Sequence, residues 1–432
     1  MRVGLQTWGT EGDVRPFLAL AAGLAGRGHT VTLVATEITE KDYTDYGREF
    51  NFTMRHAGEL GLSPLEIKAV ASEVFNDRNP VRAGDKLLKA FFYPLADDML
   101  REAKTLCETC DIVIGHFFVF PLKIAAYQKQ RPLAFICTAP MLPSSLFPVP
   151  GLPNLGGFFN ALTWRLADFL ISRSWKPAMD KMFAQEGMPG PKRIMAEMWH
   201  APTLNIMAFS PSLFTKPDTW PGHYRVTGFL NLPEQGETDE LPGHLARFLD
   251  EGPPPVYITL GSMMAAEPDA TDITRLLMGG ALEAGCRAVI QSNWDDITDL
   301  PEHPSVCRVI RAPHQAVFPR CAAVVHHGGA GTTQSSVLAG RPSIVVAHTS
   351  DQPFWAELLH SHGVAPKPLH RKNLTPAKLA RSINQVFISP QMTANAESMG
   401  QKMKNENGLQ NAIELLETLG SRSPNQWQDP LK

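Results

Sequence analysis

Short apolar runs of the length of a buried strand alternate along the chain with segments whose apolar residues recur at helical spacing. The first series has an apolar run at residues 2–7, a glycine-containing loop, a helical segment at about 14–25 and a second run at 29–36. Further strand candidates of this series lie at 111–115, 132–137 and 203–209. Strands that alternate with helices are typical of parallel sheets covered by helices, so residues 1–230 are predicted to form a doubly wound α/β domain.

The pattern restarts after a segment without periodicity. Residues 231–255 are rich in Pro, Gly and Glu and are predicted to be an interdomain linker. Strands of the second series are predicted at 256–260, 287–291, 306–310, 322–326 and 343–347. We expect a second doubly wound domain at 256–390 and a helical segment at 391–432 that packs back on the first domain. Two such domains would face each other across a cleft at the carboxyl ends of their strands, where sheets of this type bind ligands.

Length and charge narrow the range of functions. The 432 residues exceed the size at which a single hydrophobic core stops growing, which agrees with two domains. The formal net charge of −3 supplies no basic field for nucleic acid, so we expect no nucleic-acid partner. Only Cys107 and Cys110 lie close together among the six cysteines, so we expect buried thiols and no metal site.

The sequence also bears on location. Glu11 and Asp13 break the N-terminal apolar run before it reaches the length of a signal-peptide core, and no apolar stretch approaches the roughly 20 residues that cross a bilayer. We therefore expect a cytoplasmic protein. Residues 158–176 mix aromatic side chains with basic ones, which leaves peripheral contact with a membrane surface open. No feature of the sequence predicts an oligomeric state.

The most informative segment is VVHHGGAGTT at 324–333, where an apolar strand passes through glycines into a helix. Glycines let successive backbone N–H groups turn toward one ligand, and the helix adds its positive N-terminal end, so a diphosphate is a suitable occupant. The lysine of an ATP- or GTP-binding P-loop is absent. Neighbouring strand residues point to opposite faces, so only one of His326 and His327 can face the cleft, and we favour His327. The alternative is a capped turn with hydrogen-bonded histidines.

The segment GTEGDVRP at 9–16 follows the first strand and opens the first helix. Its glycine spacing differs from the dinucleotide-binding fingerprint, which disfavours a dehydrogenase. Asp13 would project into the cleft, where its carboxylate could accept the proton of an attacking hydroxyl. Taken by itself, the segment favours Asp13 as a helix cap, a role that weakens it as a base.

The segment HTSDQPFW at 348–355 follows the last predicted strand and starts another helix. Asp351 and Gln352 offer acceptors and donors that suit several sugar hydroxyls. The alternative is an Asp cap beside a solvated Gln. All three segments lie at carboxyl ends of strands, and they therefore predict one common cleft.

Together these residues resemble the inverting nucleotide-sugar glycosyltransferases of the GT-B type, in particular sterol glucosyltransferases and antibiotic (glycopeptide and macrolide) glycosyltransferases. The resemblance covers nearly the whole chain. It rests on GTEGDVRPFLALAAGLAGRGH at the start, VTGF at 226–229, TLGS at 259–262, RAPHQAVFPRCAAVVHHGGAGTT at 311–333 and SDQPFW at 350–355. It implies an α/β fold of two Rossmann-like doubly wound domains that face each other across a cleft.

The resemblance also implies roles for individual residues. Asp13 is expected to be the general base, and Asp351 with Gln352 is expected to hold the donor sugar, as the same pair does in glucose-using relatives. Arg311 stands where the plant branch has a Trp that stacks on the base, so the choice between uridine and thymidine stays open. The other donor-binding residues that it implies are Ser262, Pro313, His314, His327, Gly329, Gly331, Thr332 and Thr333.

The expected reaction is a metal-independent, inverting transfer of a hexose, glucose in the first place, from a UDP-sugar to a hydroxyl of a small apolar acceptor such as a sterol, terpenoid, polyketide or lipid. No cofactor is expected beyond the UDP-sugar co-substrate. The alternatives are a nucleotide-sugar epimerase and a non-catalytic nucleotide-sugar-binding protein on the same fold. The residues expected to contact the acceptor are Phe92, Phe117, Phe118, Met141 and Phe147.

Overall fold

The computed structural model describes residues 1–38, 41–77, 79–140, 142–231, 241–261, 270–292, 297, 300–348 and 350–421. These residues form two parallel sheets, one of seven strands and one of six, each accompanied by helices. The first sheet has the strand order β3-β2-β1-β4-β5-β6-β7 and the second has the order β10-β9-β8-β11-β12-β13. In both, the order reverses beside the first strand, as in a Rossmann-like fold, which confirms the predicted fold class.

The first sheet is buried on both faces at its centre. Strands β1, β4 and β5 are almost wholly buried, because the helices that connect parallel strands cover both sides of the sheet. The strands are β1 (Arg2–Gly9), β2 (Thr30–Glu37), β3 (Thr53–His56), β4 (Ile112–His116), β5 (Leu133–Cys137), β6 (Leu204–Met207) and β7 (Tyr224–Val226). The α-helices are α1 (Glu11–Gly26), α2 (Thr44–Glu49), α3 (Pro64–Asn76), α4 (Pro80–Leu87), α5 (Ala96–Thr109), α6 (Phe120–Gln128), α7 (Gly157–Gln185) and α8 (Ile194–Met198).

The second sheet repeats this plan. Its strands are β8 (Val256–Thr259), β9 (Ala288–Gln291), β10 (Val306–Val309), β11 (Ala323–His326), β12 (Ser343–Ala347) and β13 (Leu369–His370). Its helices are α9 (Gly243–Asp250), α10 (Ala270–Glu283), α11 (His314–Val317), α12 (Ala330–Leu338), α13 (Gln352–Ser361), α14 (Pro376–Phe387) and α15 (Pro390–Lys404). The last of the described helices is α16 (Gly408–Gly420).

Three strands and one helix differ from the predicted pattern. Strands β3, β7 and β13 were missed because each is short and at least partly exposed, so none carries a continuous apolar run. Helix α9 lies inside the segment predicted as a linker, where Leu245 and Leu249 are buried. The rest of that segment, residues 232–240, lies outside the described residues.

The predicted helical segment after residue 390 is two helices instead of one. Asn407 interrupts it with a φ of 52°, a left-handed conformation that ends a helix. Helix α15 stays beside the second sheet, where Gly400 contacts the turn after α12. Helix α16 crosses to the first sheet and packs on α1, with Ile413 beside Gly23 and Glu417 hydrogen-bonded to Arg27 at 2.9 Å.

Buried polar contacts join the two halves. Gln334 of α12 reaches the loop after β6, where its Oε1 accepts from the amide of Ser210 at 2.9 Å and its Nε2 donates to the carbonyl of Ala208 at 3.3 Å. The hydroxyl of Ser210 donates to Oε1 of Glu406 at 2.7 Å. Hydrogen bonds between buried groups fix geometry, so these contacts set how the two sheets face each other.

Candidate active site

The glycine loop joins β11 to α12, and two of its positions leave no room for a side chain. Gly328 has a φ of 90°, and a Cβ there would lie 2.9 Å from Cγ1 of Val345. Gly329 has an ordinary φ of −64°, but its Cβ would lie 2.3 Å from Nε2 of His327. Among the described residues no side chain caps α12, so the first N–H groups of this helix remain for a ligand or for water.

The two histidines before this loop lie in different environments. His326 has no exposed surface, and its Nδ1 accepts from the amide of Gly328 at 3.1 Å, so it shapes the loop. His327 is partly exposed and packs against Gly261, and within the described residues its Nδ1 has no hydrogen-bond partner. Burial, together with the neighbouring His348 and His314, lowers the pKa of His327 to about 3. The imidazole of His327 is therefore neutral at neutral pH, and it can donate one hydrogen bond but carries no charge.

Asp13 lies in the first turn of α1, three residues after the N-cap Thr10. Its Oδ2 accepts from the amide of Thr10 at 3.0 Å, so one carboxylate oxygen does stabilise the start of the helix. Its Oδ1 lies 3.5 Å from Nε2 of His116, and about a third of the side chain is exposed. The helix begins at Glu11 instead of near residue 14, because Thr10 and Asp13 extend it toward the strand.

A charged bridge ties the first loop to the second half of the chain. Nη2 of Arg311 donates to Oε2 of Glu11 at 2.8 Å, while Lys41 and Arg15 donate to the other carboxylate oxygen. Burial alone would raise the pKa of Glu11, but the hydrogen bond from Lys41 and the charges of all three basic groups lower it to about 2. Glu11 is two residues from Asp13, so this bridge holds the candidate base beside the second sheet.

The third loop is held by its own side chains. Oε1 of Gln352 accepts from the amide of His348 at 2.7 Å, and Oδ2 of Asp351 accepts from Nε1 of Trp355 at 2.7 Å. Burial raises the pKa of Asp351 above its ordinary value. Ser350 has a φ of 59°, which directs the chain into the turn. Gln352 is buried and no side-chain bond caps the helix at Asp351, so the alternative of a cap beside a solvated Gln is wrong.

One further contact joins two of the predicted donor-binding segments, and a third segment is fixed by its own packing. A Cβ on Gly328 would lie 3.1 Å from the carbonyl oxygen of Gln352, so the glycine loop and the third loop touch. Pro313 is the N-cap of α11 and His314 follows it, with its ring stacked 4.2 Å from that of Phe318. Burial lowers the pKa of His314 to about 4, with Arg15 of the first domain contributing.

Comparison with known proteins identifies the family of this chain. Residues 3–133 match the N-terminal domain of glycosyltransferase family 28, and residues 275–419 match the C-terminal domain of erythromycin biosynthesis protein CIII-like proteins. The chain is 30% identical to the O-mycaminosyltylonolide 6-deoxyallosyltransferase of Streptomyces fradiae over 96% of its own length and 97% of the relative's. The chain belongs to the GT-B glycosyltransferase family.

Other members of the family are longer. A sterol 3-beta-glucosyltransferase of Arabidopsis thaliana is 28% identical over 96% of this chain, which spans 64% of that relative. The chain spans 30% of the sterol 3-beta-glucosyltransferase of Aspergillus oryzae. The fold is shared with the glycotransferase of kitacinnamycin, at a TM-score of 0.71, 17% identity and coverage of 97% and 98% of the two chains. It is also shared with the glycosyltransferase VinC in complex with DTDP, at a TM-score of 0.64, 18% identity and coverage of 98% and 100%.

The remaining donor-site predictions of this GT-B glycosyltransferase lie in the glycine loop or outside the described residues. Gly331 is exposed in the first turn of α12, and a Cβ there would meet nothing within 4 Å. Thr332 is half-buried and Thr333 is buried, and among the described residues Oγ1 of Thr333 has no hydrogen-bond partner. Ser262 lies outside the described residues, as does the acceptor candidate Met141.

The acceptor candidates fall into two groups. Phe92 has no exposed surface and packs edge-on against Trp8 at 5.2 Å, so its assignment to the acceptor wall is corrected to the core of the first domain. Phe117 is also almost wholly buried, and its ring lies 4.6 Å from the ring of Phe118, at a tilt of 45°. Phe147 differs, because its ring lies 5.0 Å from that of Phe354 in α13. Of the described acceptor candidates, Phe147 thus contacts the second half of the chain.

His116 was not identified from the sequence. It ends β4 with 3% of its surface exposed, and burial lowers its pKa to about 3, so it is neutral beside Asp13. Within the described part of the chain its Nδ1 has no hydrogen-bond partner. Its position at the carboxyl end of a strand was a usable signal, since all three predicted loops share that position.

The described residues contain no group of three or more His, Cys, Asp or Glu side chains that could hold a metal ion. Within the same residues, no helix is long and apolar enough to cross a membrane.

Proposed function

We propose that the protein transfers a hexose, glucose in the first place, from a UDP-sugar to a hydroxyl of a small apolar acceptor such as a sterol or macrolide, with inversion at the anomeric carbon and without a metal ion. The observation that carries this proposal is the contact between the two halves at the start of α1. Glu11, two residues before the candidate base Asp13, is hydrogen-bonded to Arg311, which lies three residues before His314. A base on the first domain thereby faces a nucleotide site on the second.

The acceptor hydroxyl would attack the anomeric carbon on the face opposite the leaving diphosphate. Oδ1 of Asp13 would take the proton as the new C–O bond forms, while Oδ2 stays on the amide of Thr10. The negative charge that develops on the leaving group would be stabilised by the N–H groups of α12 and by a hydrogen bond from His327. A diphosphate would favour protonation of that imidazole, because an opposite charge raises the pKa of a histidine.

The donor and acceptor classes follow from relatives. A sterol 3-beta-glucosyltransferase and a macrolide 6-deoxyallosyltransferase both align with this chain over 96% of its length, so a polycyclic or macrocyclic alcohol is the acceptor class to test. A structural neighbour in complex with DTDP supports a nucleoside diphosphate and keeps thymidine beside uridine as the base.

The decisive experiment uses Asp13→Asn. The amide oxygen of Asn can still accept from the amide of Thr10, so the start of α1 is retained while the base is removed. We expect product formation from UDP-glucose and a sterol or macrolide panel to fall by about 10²- to 10⁴-fold, with the thermal shift caused by UDP unchanged. Retained turnover in Asp13→Asn would refute the role of this carboxylate. Formation of an epimeric UDP-hexose from the donor alone would refute transfer and establish the epimerase.

A further inference from the structure

Exposed apolar side chains are concentrated in one region of the first domain. Of the twelve large hydrophobic residues exposed among the described residues, nine lie between positions 146 and 170. Three are in the loop before α7, and six are on α7 itself. We call these six the apolar face: Phe158, Phe159, Leu162, Leu166, Phe169 and Leu170. Phe158 exposes 78% of its surface, so the apolar face is open to solvent and is not part of the hydrophobic core.

The first half of helix α7 has polar side chains on its buried side as well as an aromatic one. Its buried side includes Asn160 and Asp168: Asn160 donates to the carbonyl of Ser145 at 3.0 Å, and Asp168 accepts from the amide of Met195 at 3.0 Å. The spacing of Leu162, Leu166 and Phe169 puts these residues on the opposite, solvent side. A surface helix ordinarily turns its polar residues outward, so this one is built to present apolar area to a partner.

The exposed charge along the segment that carries the apolar face has one sign. Between Asp111 and Asp180 the only acidic residue is Asp168, and it is buried in an ion pair with Arg193 at 2.7 Å. Arg165 and Arg173 are exposed on α7, and Arg173 extends the line of apolar residues by one turn. The face therefore combines exposed apolar rings with guanidinium groups and has no exposed carboxylate.

The combination of exposed apolar rings and arginines distinguishes between two possible binding partners of the apolar face, a second copy of the chain and a bilayer surface. A second copy of the chain, related by a twofold axis through the face, would bring Arg165 and Arg173 of both copies together with no carboxylate to balance them. A bilayer surface with anionic headgroups satisfies both features, because the rings enter the acyl boundary while the arginines meet phosphates. We propose that the apolar face docks α7 flat on the surface of a bilayer that contains anionic phospholipid.

The docked helix lies next to the candidate acceptor wall. Trp164, on the buried side of α7, donates from Nε1 to the carbonyl of Phe147 at 2.9 Å, and Phe147 contacts Phe354. One helix thus separates the bilayer surface from the cleft, and an acceptor dissolved in lipid would enter over a short distance. This consequence rests on the proposed function, whereas the docking itself does not.

The test is flotation of the whole protein with vesicles of phosphatidylcholine, either alone or mixed with phosphatidylserine. We expect the protein to float with the mixed vesicles and to be released by high salt. Phe158→Asn combined with Phe169→Asn should lower the bound fraction about tenfold or more, because each ring loses its burial in lipid. Arg165→Glu combined with Arg173→Glu should act in the same direction. Ile388→Asn, at a side chain that is 80% exposed elsewhere, is the matched control and should float like the wild type.

Two outcomes would overturn the proposal. The first is a wild-type protein that floats with neither kind of vesicle at low salt. The second is a wild-type dimer in light scattering that the paired Phe variants convert to a monomer, which would assign the face to a second copy. The thermal shift caused by UDP is measured on the same samples. It should be unchanged in every variant, so loss of docking and loss of the donor site are distinguishable.

Discussion

Gly329 and Gly331 differ in what a methyl group would meet, and replacing each by alanine tests the proposed diphosphate site. The Cβ of Gly331→Ala would enter open space in the first turn of α12. That of Gly329→Ala would lie 2.3 Å from Nε2 of His327, so the ring or the loop must move. Neither position has a positive φ. Any effect therefore comes from the space that the methyl group occupies and not from backbone strain.

The two substitutions should separate stability from binding. An alanine in place of glycine in a helix is worth up to about 1 kcal/mol, so Gly331→Ala should not unfold the protein and should raise its melting temperature slightly. A hydrogen bond to a charged group contributes about 1.5–3 kcal/mol, so displacing the phosphate from one amide should weaken nucleotide binding about ten- to a hundredfold. Gly329→Ala should weaken binding as well, but with a lower melting temperature.

The assay is the thermal shift caused by UDP and, separately, by dTDP. At a nucleotide concentration of about 100 times Kd the wild type gains about 2.7 kcal/mol, and a hundredfold loss of affinity reduces this to about 0.4 kcal/mol. Gly331→Ala should thus melt at or above the wild type without nucleotide and clearly below it with nucleotide. If Gly331→Ala binds nucleotide as tightly as the wild type, the phosphates do not lie against the first turn of α12 and the proposed site is wrong.

Four further predictions concern other contacts. Arg311→Ala removes an exposed ion pair and should cost only about 0.2–1 kcal/mol in urea unfolding. Because the pKa of Glu11 is lower in the folded than in the unfolded protein, its carboxylate stabilises the fold at a pH above about 4.5, and this stabilisation is lost as the pH falls to about 2. Glu11→Gln should therefore be less stable than the wild type at neutral pH, and the difference in the free energy of unfolding should disappear between about pH 4.5 and pH 2. His116→Phe should lower kcat and leave the KM for the donor unchanged, because it removes the imidazole 3.5 Å from Asp13. Leu416→Ala, at a buried position on α16, should cost about 2–5 kcal/mol in the same unfolding assay, and a change below 1 kcal/mol would contradict the packing described.

The periodic pattern predicted the two sheets because each central strand is buried on both faces and so needs a continuous apolar run. The same reasoning could not distinguish aromatic residues of the core from aromatic residues that contact the second half of the chain. Phe92 and Phe147 are equally apolar in sequence, but a π-helical turn at Leu88–Phe92 directs the first onto Trp8, whereas the second meets Phe354. Only tertiary packing distinguishes a core ring from one at the interface of the two halves.

The residues of the candidate site could be predicted where a motif of consecutive residues identifies them. They could not be predicted where their role depends on a contact with a residue far away in the sequence. Gly328 and Gly329 could be recognised because a strand, glycines and a helix follow each other directly. His116 ends a strand, which marks it as a candidate, but nothing near it in sequence indicates that Asp13 will lie 3.5 Å away. The two roles weighed for Asp13 also proved compatible in geometry, since one carboxylate oxygen holds the helix and the other points to His116.

Within the residues that the structure describes, the chain passes between the two halves twice, once after β7 and once before α16, and the two passages touch. A Cβ on Gly228 would lie 2.6 Å from Cα of Gly408, so backbone rests on backbone. Opening or closing of the cleft must therefore turn about a paired pivot, which restrains twisting far more than a single connection would. A protease cut in only one passage would leave the halves tethered by the other, and excising either half cleanly requires two cuts.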